Sequence, residues 1–319
     1  MQFLILIIGF VLLIKGADIF VEGASSIAKK FNVPPMLIGL TIVAMGTSAP
    51  EAAVSISSSL AGQNDMSIAN VVGSNFFNIL IVLGVSAIIA KLPVQKDTIK
   101  KDTPFLIFIS VLLVIFCFGL KLSRFEGLIL LILFVVFLIN TIKSNLNQNN
   151  NEVSSGETAI AIEIPDSDSK SVSMPKTLLI CLVGIIGIVY GGDLVVDSAS
   201  SIATSFGMSA NLVGLTIVAM GTSLPEFVTS VIAVRKGETD IAIGNVIGSN
   251  IFNILLVLGL AAIIHPMAIS LVAFIDTIFM TAITILLYIF IKKNNSLSKA
   301  QGILFIIVYF AYMTYTIMR

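Results

Sequence analysis

The stretch 46-GTSAPE-51 lies in an otherwise apolar run, and 221-GTSLPE-226 repeats it almost unchanged 175 residues later. A proline inside a helix removes one hydrogen bond and clashes with the carbonyl four residues earlier. In each copy the next residue is a glutamate, Glu51 or Glu226. A carboxylate in a membrane helix costs about 2.5–3.5 kcal/mol on insertion scales, so such a residue normally faces a cavity and has a function. The pattern predicts two interrupted membrane helices that each present one carboxylate to a polar centre.

The composition is that of an integral membrane protein. Of 319 residues, 57% are hydrophobic and only 11% are charged, and the mean hydropathy is +1.06. Soluble domains carry about 25% charged residues. The net charge is zero and the basic residues are scattered, which excludes a nucleic-acid partner. Cys117 and Cys181 lie in apolar runs, where they indicate neither a disulfide nor a metal site.

Ten apolar segments are long enough to cross about 30 Å of hydrocarbon. They lie near 2–27, 34–60, 67–90, 103–120, 125–142, 177–202, 209–234, 241–263, 270–291 and 300–318. The segments form two sets of five, separated by a polar, acidic, Asn/Ser-rich stretch that is typical of a disordered linker. The predicted domains are residues 1–143, the cytoplasmic linker 144–175 and residues 176–319.

The two sets of helices are copies of each other. Residues 37–89 align without a gap on 212–264, with 32 of 53 positions identical, and the register extends upstream from 16-GADIFVEGASSIA-28 to 191-GGDLVVDSASSIA-203. Because five is odd, the second copy enters the membrane from the opposite side. The predicted fold is therefore an all-α integral membrane protein whose ten transmembrane helices form two inverted five-helix repeats.

The lysines and arginines predict the orientation, since they accumulate in cytoplasmic loops. With both termini outside, Lys121, Arg124 and Arg319 lie on the outer side and Lys15 lies within a span. The other fourteen lie on the inner side: Lys29, Lys30, Lys91, Lys96, Lys100, Lys101, Lys143, Lys170, Lys176, Arg235, Lys236, Lys292, Lys293 and Lys299. This distribution places the N-terminus and the C-terminus outside and the linker in the cytoplasm, for a multi-pass protein of the plasma membrane.

Hydroxyl groups accompany both glutamates. Thr47 and Ser48 precede the first, and Thr222 and Ser223 precede the second. A hard cation prefers oxygen from carboxylates, carbonyls and hydroxyls, and neither motif contains a histidine or a cysteine. Irregular backbone at membrane depth is tolerated only where it is buried in protein or lines water. Together these features predict a cation site in the middle of the membrane.

The next helix of each half adds a second repeated motif, 73-GSNFFNI-79 and 248-GSNIFNI-254. Its serine and its second asparagine are spaced i to i+4 and therefore share a helical face. These pairs are Ser74 with Asn78 and Ser249 with Asn253. Inversion of the copies brings the four motif-bearing helices together near the midplane, so that both glutamates face one site.

The paired GTSxPE and GSNxFNI segments resemble the two alpha-repeats of the sodium/calcium exchangers, in the calcium/cation antiporter superfamily. Within that family, the chain resembles the prokaryotic type without a regulatory domain. The resemblance covers nearly the whole chain except the linker. It implies a secondary antiporter that exchanges Na⁺ for Ca²⁺ by alternating access, with no cofactor and no enzymatic activity. The ligands that it implies, including the carbonyls of Ala44 and Ala219, are Ala44, Thr47, Ser48, Glu51, Ser74, Asn78, Ala219, Thr222, Ser223, Glu226, Ser249 and Asn253.

One position departs from the family pattern, because well-known members carry an aspartate where this chain has Asn253. The Na⁺:Ca²⁺ stoichiometry and any K⁺ dependence stay open at this point. The expected partners are Ca²⁺ and Na⁺, or H⁺ in place of Na⁺, and membrane lipid, with no obligatory protein partner.

Three other functions remain as alternatives. Two buried carboxylates could carry protons, which defines a proton/calcium exchanger. An intramembrane aspartyl protease also needs two acids, and 191-GGD-193 is weakly similar to its motif, but a protease does not need two inverted copies. An ion channel is less favoured, because inverted repeats with discontinuous helices are typical of alternating access.

Overall fold

A computed structural model of the chain describes residues 1–62, 64–154, 174–208 and 219–318. The helices in chain order are α1 (Gln2–Lys30), α2 (Pro35–Thr47), α3 (Ala49–Leu60), α4 (Asn64–Phe77, Asn78–Val82 and Leu83–Ile89 in succession), α5 (Thr98–Asp102 continued by Thr103–Cys117), α6 (Arg124–Ser154), α7 (Met174–Ser205), α8 (Ala219–Gly221), α9 (Leu224–Arg235), α10 (Thr239–Ile264), α11 (Leu271–Asn294) and α12 (Lys299–Met318).

These helices form the predicted ten-helix membrane protein. Among the described residues, six helices are long and apolar enough to cross a membrane, and α2 with α3 makes a seventh span that is bent by 48°. The spans that contain α5, α9 and α12 complete the ten. The predicted span 209–234 is described only from residue 219 onward, so its first part lies outside the described residues.

Four short strands show that the two repeats are inverted. They are β1 (Leu92–Pro93), β2 (Lys121–Leu122), β3 (Met267–Ala268) and β4 (Ser296–Leu297). The strands β1 and β2 lie at opposite ends of α5, and β3 and β4 lie at opposite ends of α11. Because β1 pairs with β4 and β2 pairs with β3, the equivalent strands β1 and β3 lie on opposite sides of the membrane.

Helices α1 and α7 are the first helices of the two repeats, and they cross in close contact. A β-carbon added to Gly16 would lie 2.7 Å from the backbone nitrogen of Ile188, and one added to its equivalent Gly191 would collide with the backbone of Leu13. Glycine therefore allows backbone-to-backbone packing at this crossing.

The boundary between the repeats differs from the expected one. Helix α6 continues to Ser154, into the segment predicted as linker, and α7 begins at Met174 instead of residue 176. Adding residues to an existing helix avoids the cost of nucleation, so a polar run can extend an apolar helix. Residues 144–154, the first part of the predicted linker, are therefore helical in the structure. The rest of the predicted linker, 155–173, lies outside the described residues.

Candidate functional site

The predicted break in the second span lies at Ser48. Helix α2 ends at Thr47 and α3 begins at Ala49, while Ser48 has φ −84° and ψ 11°. Pro50 is the second residue of α3, where the missing N–H has no partner to lose within the helix. The motif therefore ends one helix and starts the next, and it places Glu51 in the first turn of α3.

The second copy of the motif has the same geometry. Ser223, with φ −91° and ψ 5°, separates α8 from α9, and Pro225 is the second residue of α9. Glu226 lies in the first turn of that helix. Both carboxylates thus lie at helix N-termini, where the unpaired N–H groups and the helix dipole favour negative charge.

The two glutamates are fully buried, and each is held by the opposite repeat. Ser223 Oγ donates to Glu51 Oε1 at 2.9 Å, and Ser48 Oγ donates to Glu226 Oε1 at 2.8 Å. Each serine and the glutamate of its own motif are three residues apart, so this exchange brings the two motifs face to face. The structure therefore joins the two halves of the chain at the two carboxylates.

Each glutamate also receives a hydrogen bond from its own repeat. Ser74 Oγ donates to Glu51 and Ser249 Oγ donates to Glu226, both at 3.4 Å. The second carboxylate oxygen of each glutamate, Oε2, accepts no hydrogen bond from the described residues. Buried anionic oxygen is costly unless it is paired. Two such oxygens beside hydroxyl groups fit the ligand preference of a hard cation.

Asn78 and Asn253 are buried at the same centre. Each begins a π-helical turn, Asn78–Val82 or Asn253–Val257, and such turns often occur at functional sites. Their side-chain carbonyl oxygens, Oδ1, accept no hydrogen bond from the described residues. Two further neutral oxygen atoms without a hydrogen-bond donor among the described residues are therefore buried here.

The threonines of the motif contact a second layer of asparagines, and the Thr47 side chain also interacts with the Glu226 carboxylate. Thr47 Oγ1 lies 3.0 Å from Asn245 Oδ1, and Thr222 Oγ1 lies 3.4 Å from Asn70 Oδ1. The Thr47 hydroxyl also lies 3.1 Å from the carbonyl oxygen of Val43 in its own helix. Both threonines reach the asparagine of the opposite repeat, as the serines reach the opposite glutamate.

Asn70 and Asn245 also belong to this network, although neither is in the predicted set. The Nδ2 of each donates to a serine hydroxyl and to the carbonyl oxygen of the glutamate in its own repeat. The sequence contained a signal for them. Both are identical between the repeats, and they precede Ser74 and Ser249 by four residues, on the same helical face.

The two alanines of the expected ligand set stand apart from this network. The Ala44 carbonyl accepts the backbone N–H of Ser48 at 3.0 Å and lies 3.3 Å from the Thr47 hydroxyl, so it serves as a helical acceptor. Ala219 begins α8 directly after the undescribed residues 209–218. Within the predicted set, the four serines donate directly to the two glutamates, and the Ala44 carbonyl has a helical role.

Within the described ranges, no group of three or more His, Cys, Asp or Glu side chains could hold a metal ion. The polar centre therefore combines two carboxylates with neutral hydroxyl and amide oxygens. Its formal charge of −2 at full ionisation matches one divalent cation.

Comparisons with known proteins identify the family of the chain. Residues 1–143 and 176–318 match the family described as sodium/calcium exchanger protein. The chain is 34% identical over 341 residues to the sodium/calcium exchanger MaX1 of Methanosarcina acetivorans, covering 98% of this chain and 97% of that protein. It is 38% identical over 262 residues to the inner membrane protein YrbG of Escherichia coli, covering 82% of this chain and 79% of that protein.

A solved structure has the same fold. The sodium-calcium exchanger NCX_Mj, soaked with Na⁺ and Ca²⁺, superposes with a TM-score of 0.84 at 31% identity, over 98% of this chain and 97% of that chain. The protein is therefore a multi-pass membrane transporter and not an enzyme. It belongs to the sodium/calcium exchanger family of antiporters, as the two repeated motifs predicted.

Proposed function

We propose that this antiporter exchanges Na⁺ for Ca²⁺ by alternating access at a midplane site built on Glu51 and Glu226. The observation that carries the proposal is the reciprocal exchange of serine hydroxyls between the two buried glutamates. It places two carboxylates in one centre and leaves one oxygen of each without a donor among the described residues. Ca²⁺ takes 6–8 oxygen ligands in flexible geometry, which suits this mixture of charged and neutral oxygens.

The proposed ligands combine the two carboxylates with neutral side chains of both repeats. These are Thr47, Ser48, Ser74, Asn78, Thr222, Ser223, Ser249 and Asn253, with the carbonyl oxygens of Ala44 and Ala219 as backbone ligands. Two ionised glutamates neutralise one Ca²⁺. Three Na⁺ would leave a charge of +1 in the same site, because Asn253 is neutral.

The proposed orientation places both termini outside the plasma membrane. The pairing of β1 with β4 brings the loop after α4 and the loop after α11 to one side. Lys91 and Lys96 lie in the first of these loops, and Lys292 lies in the last turn of α11, next to the second. Lysine accumulates on the cytoplasmic side. The other pair, β2 with β3, then lies outside.

Alternating access needs one part of the protein to move past the other. Helices α1 and α7 are the proposed moving pair, because their backbone-to-backbone contact at Gly16 and Gly191 lets them move as one unit. The polar network joins the remaining helices of both repeats, so the ion site can stay fixed while the pair shifts.

Proton/calcium exchange is the second candidate. Glu51 and Glu226 are fully buried, and two carboxylates that share a low-dielectric site can carry protons in place of Na⁺. The relatives' names support Na⁺, since MaX1 and NCX_Mj are sodium/calcium exchangers.

Flux measurements in sealed vesicles distinguish the two candidates. Purified protein is reconstituted, and Ca²⁺ uptake is driven first by an outward Na⁺ gradient and then by an outward proton gradient without Na⁺. Sodium-driven uptake that is absent from Glu51→Gln vesicles supports the proposal. Uptake driven only by the proton gradient would replace it with the second candidate.

A further inference from the structure

Asn75 and Asn250 are not among the expected ligands, but each forms a hydrogen bond with an asparagine that is. Asn253 Nδ2 donates to Asn75 Oδ1 at 3.1 Å, and Asn78 Nδ2 donates to Asn250 Oδ1, also at 3.1 Å. All four side chains are buried. Each bond joins α4 to α10 across the two repeats, and the two bonds are equivalent at the offset of 175 residues. The arrangement is thus a pair of amide-to-amide hydrogen bonds at the centre of the protein.

An amide has one donor end and one acceptor end, so holding one end fixes the direction of the other. When Asn75 accepts from Asn253 Nδ2, the Oδ1 of Asn253 must point away from Asn75. That Oδ1 accepts nothing from the described residues. The π turn that begins at Asn253 packs against α3, which bears Glu51, and the turn that begins at Asn78 packs against α9, which bears Glu226.

We propose that Asn75 and Asn250 are positioning residues of the cation site, which turn the carbonyl oxygens of Asn253 and Asn78 toward the transported ion. The inference rests on the proposed function. Without these acceptors, the amides of Asn253 and Asn78 would rotate freely and present N–H groups to a cation for part of the time. Asn75 and Asn250 act through their partners and do not themselves contact the ion.

The two pairs are not equally firm. Asn75 Nδ2 has contacts of its own, with the backbone carbonyl of Asn250 at 3.4 Å and the sulfur of Met280 at 3.5 Å. The Nδ2 of Asn250 donates to no acceptor among the described residues. Asn75 is therefore fixed at both ends, whereas Asn250 is fixed at one. Loss of Asn75 removes the better-defined of the two supports.

A purely structural role makes a different prediction. Buried asparagines can hold membrane helices together by hydrogen bonds, and loss of such a contact weakens the protein without selective effect on the ion. Loss of a positioning residue instead raises the concentration of Ca²⁺ needed for half-saturation. This effect disappears when the positioned oxygen is itself absent.

The test is a double-mutant cycle on Ca²⁺ binding to the purified full-length protein, measured by titration calorimetry with CaCl₂. The variants are Asn75→Leu, Asn253→Leu and the double variant, because leucine keeps the size of asparagine and removes the amide. Thr284→Val is the matched control, since Thr284 is buried and its hydroxyl donates, among the described residues, to the Met280 carbonyl of its own helix. Asn250→Leu with Asn78→Leu repeats the cycle if Asn75→Leu does not fold.

We expect Asn75→Leu to raise the dissociation constant for Ca²⁺ by about three- to tenfold, the size of one lost hydrogen bond. In the Asn253→Leu background the same change has an effect below about 1.5-fold. An equal effect in both backgrounds, or a loss of thermal stability with unchanged affinity, would overturn the proposal. The proposed function fails separately, if the wild type binds no Ca²⁺ or if Glu51→Gln binds it as well as the wild type.

Discussion

In the first repeat, Glu51 accepts from Ser223 at 2.9 Å and from Ser74 at 3.4 Å, and in the second repeat the equivalent distances to Glu226 are 2.8 Å and 3.4 Å. The two halves are thus nearly identical where they meet. A site that must face both sides of the membrane in turn gains from this equality, because each repeat supplies the same chemistry to its own side.

The two repeats differ near the ends of their helices. Lys236, in the loop between α9 and α10, lies 2.8 Å from Asp18 and 3.7 Å from Glu22 of α1. The equivalent of Lys236 in the first repeat is Ala61, an exposed residue without charge. Among the ion pairs between described residues, those of Lys236 join the first helix of a repeat to the rest of the fold at one end, and the other end has no equivalent pair. The repeats are equal at the proposed ion site and unequal where the helices end.

The strongest test of the central equality uses Glu51→Gln and Glu226→Gln. Each variant leaves a divalent ion with one countercharge in a buried site, and loss of one partner there costs about 3–5 kcal/mol. We expect both to lower Ca²⁺ affinity by at least about a hundredfold, to the same extent, and to abolish flux. Reconstituted Ca²⁺ uptake measures this, with size-exclusion profiles as the control for folding. Near-normal uptake by either variant would contradict the shared site.

Both repeats have a neutral asparagine at equivalent positions, Asn78 and Asn253, and a charged substitution at Asn253 breaks this equality. Asn253→Asp adds a carboxylate beside Glu51 and Glu226, and nearby like charges raise the pKa of a carboxylate. The new group is therefore protonated as pH falls, so protons compete with Na⁺ at the acidic end. We expect Na⁺-driven Ca²⁺ flux to fall roughly tenfold from pH 9 to pH 6 in the variant, and much less in the wild type. Superimposable pH profiles would show that Asn253 does not face the site.

A smaller difference concerns the second-layer asparagines. The contact of Thr47 with Asn245 is 3.0 Å long, whereas that of Thr222 with Asn70 is 3.4 Å long. One hydrogen bond contributes about 0.5–1.5 kcal/mol, so Asn245→Ala and Asn70→Ala should each weaken Ca²⁺ binding about two- to tenfold. We expect the larger effect for Asn245→Ala, because its contact is shorter. Calorimetric dissociation constants for both variants give the ranking, and the reverse order would be evidence against this use of distance.

The smallest expected effect comes from the asymmetric ion pair. Exposed pairs contribute about 0.2–1 kcal/mol, so Lys236→Ala should speed exchange by no more than about fivefold, by releasing α1. Ala61→Lys places a lysine at the equivalent end, where Asp193 and Asp197 of α7 have no ion pair among the described residues, and it should slow exchange. Initial rates are compared at low and high choline chloride, because salt screens exposed charges. A change that persists unaltered at high salt would point to another cause.

Much of the fold was predictable because membrane helices are encoded locally. Apolar length defines the spans, and proline after Ser48 and after Ser223 defines the breaks. The odd number of helices per repeat predicted the inversion, which the pairing of β1 with β4 confirms. The end of α6 at Ser154, inside the predicted linker, was not predictable, because composition does not show where a helix that has already formed will end.

The sequence by itself determined the ten spans, the inverted repeats, the two broken helices and the family, since each follows from composition, spacing and duplication along the chain. Only the tertiary structure decided which groups meet across the repeats. It placed Ser223 on Glu51 and Ser48 on Glu226, set Asn75 against Asn253, and gave Lys236 its partners on α1. These partners lie 170 to 220 residues apart, and a hydrogen bond depends on distances of a few tenths of an ångström that no local pattern encodes.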